Sequence, residues 1–156
     1  MLRNISHKKI PSRGGAFAIV ASRYNARYVE AMLRAAKAEI LRAGGRVQVV
    51  RVPGAYEIPV VAAKLARTAA PPLSAILCLG VILRGATTHA AHIGEAVSNA
   101  LAQIQIRHEV PVIHEVLLLE NEAQAGERCL GRKHNRGTEA AQTALEMARV
   151  MTRLRG

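Results

Sequence analysis

The alternation of short apolar runs with longer amphipathic segments constrains the fold of this 156-residue chain most strongly. Residues 74–83, SAILCLGVIL, are apolar without a break, which is typical of a strand covered on both faces. Three further runs, rich in β-branched residues, have the length of strands. These predicted strands are Ala16–Ser22, Arg46–Val52 and 110–119.

Between these runs, apolar residues recur at helical spacing. The segments predicted as helices are 26–45, which the Gly44-Gly45 pair ends, then 55–70, 90–109, 121–130 and 138–155. Strands that alternate with helices predict an α/β fold, in which a parallel sheet carries helices on both faces. Ligands of such sheets bind at the carboxyl ends of the strands, so the loops there are the candidate sites.

Composition excludes several classes of protein. Half of the residues are hydrophobic, so we predict one packed domain over residues 16–156. Residues 1–15 are basic and polar, so we predict that they form a flexible arm. No apolar stretch reaches the about 18 residues of a membrane span, and the N-terminus lacks the apolar segment of a signal peptide. We therefore expect a cytoplasmic protein without a membrane partner. Cys78 and Cys129 are too few for a disulfide framework or a zinc knuckle.

The formal net charge of +11 suits either nucleic acid or small anions. The basic residues are scattered along the chain, and aromatic residues make up only 3% of it. We therefore expect no nucleic-acid partner, and a nucleic-acid-binding domain ranks last among the alternatives.

The loop after the third predicted strand has the composition of an anion site. In RGATTH, residues 84–89, Gly85 allows a sharp turn, and Thr87 or Thr88 can cap the next helix. The N–H groups of a helix N-terminus favour phosphate. His89 would stand beside that anion, where an imidazole can transfer protons near neutral pH. The ordinary alternative is a plain helix cap with a surface histidine.

Other polar residues near strand ends have two interpretations each. Glu57 can accept hydrogen bonds from a heterocycle, or only interact with a helix dipole. Tyr24 can stack on a flat ring, or be a partly buried core tyrosine. Arg128 and the basic residues after it suit phosphate, or form a solvated loop. His89 and His92 share a helix face, but no third ligand is evident, so we predict no metal site.

Six segments, in their order and spacing, resemble the lumazine synthase family of riboflavin biosynthesis. They are VASRYN, VPGAYEIPVVAAKLA, LGVILRGATTH, VPVIHEVL, the Glu127-Arg128 pair and NRGTEAAQTALEMA. The resemblance covers nearly the whole chain from Ala16 onward. It implies a three-layer αβα sandwich around a four-stranded parallel, flavodoxin-like sheet.

The resemblance also implies an activity and an assembly. The activity is the cofactor-free condensation of 5-amino-6-(D-ribitylamino)uracil with 3,4-dihydroxy-2-butanone 4-phosphate, which gives 6,7-dimethyl-8-ribityllumazine, phosphate and water. The assembly is a homopentamer with active sites between subunits, and the N-terminal arm adds a strand to a neighbour's sheet. Some members form decamers or a sixty-subunit icosahedral capsid, and riboflavin synthase is an implied partner.

The resemblance also implies roles for individual residues of this chain. The resemblance implies that His89 transfers protons and that Arg128, from the adjacent subunit, binds the phosphate. Tyr24 would stack on the pyrimidine, and His114 would contact the substrate across the interface. The implied substrate contacts are Tyr24, Asn25, Ala55, Tyr56, Glu57, Val81, Ile82, Leu83, Gly85, Ala86, Thr87, Thr88, His114 and Arg136.

One alternative stays within the family. The family usually has an aromatic–acid–aromatic run after the histidine, where this chain has Ala90-Ala91-His92. His114 and Glu115 also depart from the usual residues. These departures motivate the alternative of a homologue that binds flavin or another anionic ring compound with little or no catalysis.

Overall fold

A computed structural model describes residues 14–155, whose four strands form one parallel sheet. The strands are β1 (Ala16–Ser22), β2 (Arg46–Val52), β3 (Ala75–Leu83) and β4 (Val112–Leu119). Their order, β2-β1-β3-β4, is the flavodoxin-like order that the resemblance implies. The predicted α/β class and parallel sheet are confirmed, whereas residues 1–13 of the predicted arm lie outside the described residues.

The helices follow the predicted segments, but four of their five starts differ from the predicted ones by one to three residues. They are α1 (Ala26–Arg42), α2 (Ile58–Thr68), α3 (His89–His108), α4 (Glu122–Cys129) and α5 (Arg136–Leu154). The predicted helix from residue 55 begins as a 3-10 turn, and α2 starts only at Ile58, which puts Pro59 in its first turn. Within residues 14–155, no helix has both the length and the apolar character that crossing a membrane requires.

The predicted start of the last helix at Thr138 is wrong. α5 begins at Arg136, because Asn135 is its N-cap and the Asn135 Oδ1 atom accepts a hydrogen bond from the Gly137 N–H at 2.8 Å. Gly137 then allows the start of α5 to approach α1, since a Cβ atom there would overlap the Met32 carbonyl group. This close approach fixes where α5 begins and therefore where Arg136 stands.

Two apolar layers cover the sheet. Successive residues of β1 point to opposite faces, so Phe17 packs with α1, α4 and α5, whereas Ala18 packs with α2 and α3. Cys129 of α4 belongs to the first layer, and Val97 of α3 belongs to the second. Cys78 of β3 is fully buried, and this burial raises the pKa of its thiol to about 12.

Candidate functional site

Backbone and side-chain hydrogen bonds tie the loops at the carboxyl edge of the sheet together. The Tyr24 N–H donates to the Pro53 carbonyl at 3.0 Å, which joins the loop after β1 to the loop after β2. The Asn25 Nδ2 atom donates to the Val81 carbonyl at 2.7 Å, which joins the same loop to β3. Asn25, a predicted substrate contact, therefore holds this edge in place through its side-chain amide.

The loop after β2 supports an exposed aromatic ring. Tyr24 is 67% exposed, so the alternative of a core tyrosine is wrong. Its ring lies against Gly54, where a Cβ atom would stand 2.9 Å from the ring. Glu57 Oε2 accepts the Gly54 N–H at 2.9 Å, which fixes the carboxylate beside the ring. Ala55 is buried and Tyr56 is exposed, so the loops after β1 and β2 together present two aromatic rings and one carboxylate at the sheet edge.

The end of β3 extends beyond its neighbour β1. β1 pairs with β3 no further than Leu79, whereas β4 pairs with β3 as far as Leu83. Peptide groups alternate in direction along a strand, and Asn25 binds the Val81 carbonyl from the open side. The N–H and C=O groups of Val81 and Leu83 therefore face the open side. Those of Ile82 face β4, so the structure gives no support to a backbone contact between Ile82 and a ligand.

The loop of residues 85–88 is exposed and leads directly into α3. Thr88 is the N-cap residue of α3, but its side chain makes no capping hydrogen bond. The Thr87 Oγ1 atom lies 3.4 Å from the His89 N atom, which is a long contact. The expected cap by either threonine is therefore weak, and the N–H groups of the first helical turn keep their capacity for an anion. His89 is exposed as the first residue of α3.

Arg128 lies exposed in the last turn of α4, and α4 is fixed at both ends. At the start, the Asn121 Oδ1 atom accepts the Gln124 N–H at 2.9 Å. At the end, the Asn135 Nδ2 atom donates to the Cys129 carbonyl at 2.8 Å. Asn135 thus caps α5 with its oxygen and holds the end of α4 with its nitrogen.

His89 and Arg128 belong to opposite layers of the molecule. α3, which carries His89, packs on the face that Val97 and Leu101 cover. α4, which carries Arg128, packs on the other face through Cys129. The sheet therefore separates the two helices that carry the predicted catalytic pair.

A partly buried ion cluster lies near Arg128. Glu115 of β4 is only 5% exposed, and it accepts a hydrogen bond from Arg136 Nε at 2.7 Å. Arg136 Nη1 donates to Glu139 Oε2, also at 2.7 Å. Burial raises the pKa of Glu115, although Arg136 and, more weakly, Arg128 oppose that shift. Arg136, a predicted substrate contact, already has two carboxylate partners within the chain, Glu115 and Glu139. Cys129 is also buried.

His114 is held on the opposite face of β4, which α3 covers. Its Nε2 atom lies 2.7 Å from Ser98 Oγ, and its Nδ1 atom accepts the Val116 N–H at 3.2 Å. Ser98 Oγ also donates to the Gly94 carbonyl at 2.8 Å. Partial burial lowers the pKa of His114, and its own backbone partly offsets that effect. Both ring nitrogens of this predicted substrate contact therefore have partners within the chain.

The sequence did not reveal several of these supporting residues. Asn135 could have been found, because asparagine before a helical segment is a standard N-cap signal. Ser98, Glu115 and Glu139 could not, because their partners depend on how helices cross over the sheet. Among residues 14–155, no group of three or more His, Cys, Asp or Glu side chains is arranged to hold a metal ion.

Comparison with known proteins decides the family. A family model described as 6,7-dimethyl-8-ribityllumazine synthase matches residues 14–152. The chain belongs to the 6,7-dimethyl-8-ribityllumazine synthase family. A relative of that name from Aquifex aeolicus (strain VF5) is 41% identical over 151 residues, which cover 94% of this chain and 96% of the relative.

Two further relatives carry the same name. The one from Stenotrophomonas maltophilia (strain R551-3) is 40% identical over 141 residues, covering 88% of this chain and 90% of its own. The one from Desulfotalea psychrophila (strain LSv54 / DSM 12343) is 38% identical over 154 residues, covering 97% of this chain and 98% of its own. The resemblance to the lumazine synthase family is thereby confirmed.

The residues implied by the lumazine synthase family fall into two groups in the structure. One group lies on the loops at the carboxyl ends of β1, β2 and β3 and at the start of α3, and it includes Tyr24, Glu57 and His89. The other group lies on the edge strand β4 and on α4 and α5, and it comprises His114, Arg128 and Arg136.

Proposed function

We propose that this chain catalyses the condensation of 5-amino-6-(D-ribitylamino)uracil with 3,4-dihydroxy-2-butanone 4-phosphate to 6,7-dimethyl-8-ribityllumazine, with release of phosphate and water. The observation that carries the proposal is the family match over residues 14–152. The exposed aromatic rings, the open backbone of β3 and the uncapped start of α3 supply the groups that two such substrates need. The proposed reaction uses no cofactor and no metal.

The phosphate is proposed to bind where two sources of positive charge meet. One source is the loop 85–88 with the N–H groups at the start of α3. The other is Arg128 of an adjacent copy, whose planar guanidinium group can form two parallel hydrogen bonds to phosphate oxygens. Groups fixed before the reaction stabilise the charge that develops as phosphate leaves.

His89 is proposed to move protons during the steps around that departure. The substrate amine attacks the carbonyl carbon and loses water to form an imine. Elimination of phosphate then leaves an enol that becomes a second carbonyl group, and the second nitrogen attacks its carbon and loses another water to close the ring. Each step needs a proton added or removed beside the phosphate, where His89 stands. Holding two reactants in orientation supplies much of the remaining acceleration, up to about 7–11 kcal/mol in favourable cases.

The ring of Tyr24 is proposed to stack on the pyrimidine, with the ribityl chain and ring edge contacting the turn Ala55–Glu57. The exposure of Tyr24 and the fixed carboxylate of Glu57 support this arrangement. The open N–H and C=O groups of Leu83 and the open N–H group of Val81 would contact the ring edge, since the Val81 carbonyl already accepts a hydrogen bond from Asn25. We also propose that the backbone of Gly85 and Ala86 contacts the phosphate group of the other substrate.

We propose that the chain assembles as a homopentamer with one site at each interface between neighbours. The separation of His89 and Arg128 into opposite layers supports a shared site, because a second copy can bring the two groups together. A decamer, an icosahedral capsid and an association with riboflavin synthase stay predictions from the sequence. The same holds for a cytoplasmic location and for the division into an arm and one domain.

An assay with both substrates tests the proposed function. The purified protein is expected to produce lumazine absorbance well above the uncatalysed rate, with phosphate released at the same rate. A double variant, His89→Ala with Arg128→Ala, is the matched control. Binding of flavin without any lumazine above the uncatalysed rate would instead support the weakly catalytic or non-catalytic homologue.

Replacing His89 by alanine is expected to slow lumazine formation about 10- to 100-fold without abolishing it. General acid–base groups typically contribute about 10²–10⁴-fold, and the loss is smaller here because the substrate amine is already nucleophilic. Initial rates at saturating substrates measure this effect. His92→Ala, three residues later on the same helix, is the matched control. A loss below tenfold, or an equal loss in both variants, would contradict the proton-transfer role.

A further inference from the structure

Two contacts hold the His114 ring in a single orientation, and a third holds the Ser98 hydroxyl group. Its Nε2 atom lies 2.7 Å from Ser98 Oγ on α3, and its Nδ1 atom accepts the Val116 N–H at 3.2 Å. Ser98 Oγ in turn donates to the Gly94 carbonyl at 2.8 Å. Both nitrogens of the ring are therefore bound by groups of the same chain.

This network fixes where the proton of the ring lies. A nitrogen that accepts a backbone N–H carries no proton, so Nδ1 is the unprotonated nitrogen of His114. The proton is then on Nε2 and points to Ser98 Oγ. The hydroxyl can accept it, because its own proton is directed to the Gly94 carbonyl. A charged imidazole would place an Nδ1–H group against the Val116 N–H.

His114 and Leu118 are exposed on this face of β4. With both nitrogens engaged, His114 can present only its ring face and carbon edge to a molecule from outside. Leu118 lies four residues further along the same face of β4 and is 41% exposed. Gly94 lies against Leu118 and has no side chain that could cover it. His114 and Leu118 are thus two exposed side chains on the face of β4 that α3 covers.

We propose that Ser98 is a positioning residue that holds His114 as a neutral ring, so that the ring face, and not a nitrogen atom, contacts the pyrimidine substrate. This inference rests on the proposed function, because it concerns the same site. Here His114 acts as a flat aromatic group and takes no part in proton transfer. The histidine that transfers protons is His89.

Substitutions of His114 distinguish a role of its ring face from a role as a proton donor. His114→Ala is expected to raise KM for the pyrimidine substrate about 3- to 10-fold, the value of one stacking contact, with little change in kcat. His114→Phe is expected to recover most of that loss, since phenylalanine keeps the flat face and lacks both nitrogens. A His114→Phe variant as impaired as His114→Ala would overturn the inference.

The role of Ser98 has its own set of variants. Ser98→Ala is expected to raise the same KM about fivefold, the value of one hydrogen bond that holds the ring. Ser98→Thr keeps the hydroxyl group and is expected to rescue most of the loss. Asn99→Ala, at the next exposed position on α3, is the matched control. Equal KM values for the alanine variant and the wild type would contradict a positioning role.

A spectroscopic measurement tests the ring state without any catalysis. In protein labelled with ¹⁵N-histidine, the solid-state NMR signal that disappears in His114→Phe is expected to be that of a neutral ring with its proton on Nε2. A charged ring, or a proton on Nδ1, would overturn the inference even in an active enzyme. Absence of lumazine formation by the wild type would instead contradict the proposed function, and the spectrum would still decide the ring state.

Discussion

Replacing Arg128 by alanine is expected to lower kcat/KM for 3,4-dihydroxy-2-butanone 4-phosphate by about 10²- to 10³-fold, the usual effect of removing a group that stabilises developing negative charge. The reason is the loss of a charge-assisted, two-pronged contact to the leaving phosphate. KM for the pyrimidine substrate is expected to change little. Initial rates of lumazine formation, with each substrate varied in turn, measure both parameters.

Two variants serve as controls for Arg128. Arg132→Ala removes the same charge from an exposed position in the loop after α4 and is expected to leave the kinetics unchanged. Arg128→Lys keeps the charge but loses the planar fork, so it is expected to recover only part of the activity. Unchanged kinetics in Arg128→Ala, or an equal loss in Arg132→Ala, would contradict the phosphate contact.

Mixed assemblies test whether one site uses two copies. In an assembly formed at random from equal amounts of His89→Ala and Arg128→Ala chains, a shared site receives both native groups in about a quarter of cases. Co-refolded or co-expressed chains are therefore expected to recover about a quarter of the wild-type activity, while each variant alone stays impaired. No recovery, in an assembly that mass measurement shows to be mixed, would place both groups in one chain.

The sequence predicted the sheet well because the physical signal was local. β1 and β2 have the predicted bounds, and the apolar run of β3 is buried on both faces, as its lack of alternation indicated. Helix starts were less certain where two signals competed. Both Thr138, which precedes an acidic residue, and Asn135 are residues that can cap the start of α5. Asn135 is the cap in the structure, because Gly137 lets the start of α5 approach α1 closely.

The sequence predicted the loop residues of the candidate site, but not the residues that hold the site's side chains in place. Tyr24, Glu57 and His89 follow strand ends directly, so their place at the carboxyl edge came from topology alone. Ser98 and His114 are 16 positions apart and meet only because α3 crosses over to β4. Glu115 was considered only as a departure from the family, because a pattern of hydrophobicity gives no reason to bury a carboxylate. Its partner Arg136 stands on another element.

The ion pair between the buried Glu115 and the partly buried Arg136 leads to the largest expected change in stability. Arg136→Leu is expected to lower the free energy of unfolding by about 3–5 kcal/mol near pH 8, because it leaves a buried carboxylate without its partner. Denaturant unfolding at one fixed protein concentration measures this change, since assembly also contributes to stability. Arg132→Leu, at an exposed position, is the matched control and is expected to change stability by less than about 0.5 kcal/mol.

The loss in Arg136→Leu is expected to depend on pH in one direction. Burial already raises the pKa of Glu115 in the folded chain, and Arg136 opposes that rise, so its removal raises the pKa further. A carboxyl group with a raised folded pKa contributes its full stability below the unfolded value of about 4.3. That stability is lost as pH rises through the folded pKa. The destabilisation is therefore expected to be smaller near pH 5 than near pH 8.

A second substitution separates the buried charge from the packing around it. Adding Glu115→Leu to Arg136→Leu is expected to restore most of the lost stability and to abolish its pH dependence, because the unpaired carboxylate is gone. Glu139 is only partly buried and can reach water, so it needs no replacement. If Arg136→Leu loses the same stability at both pH values, or if the double variant is no more stable than the single one, burial of the Glu115 charge is not what Arg136 compensates.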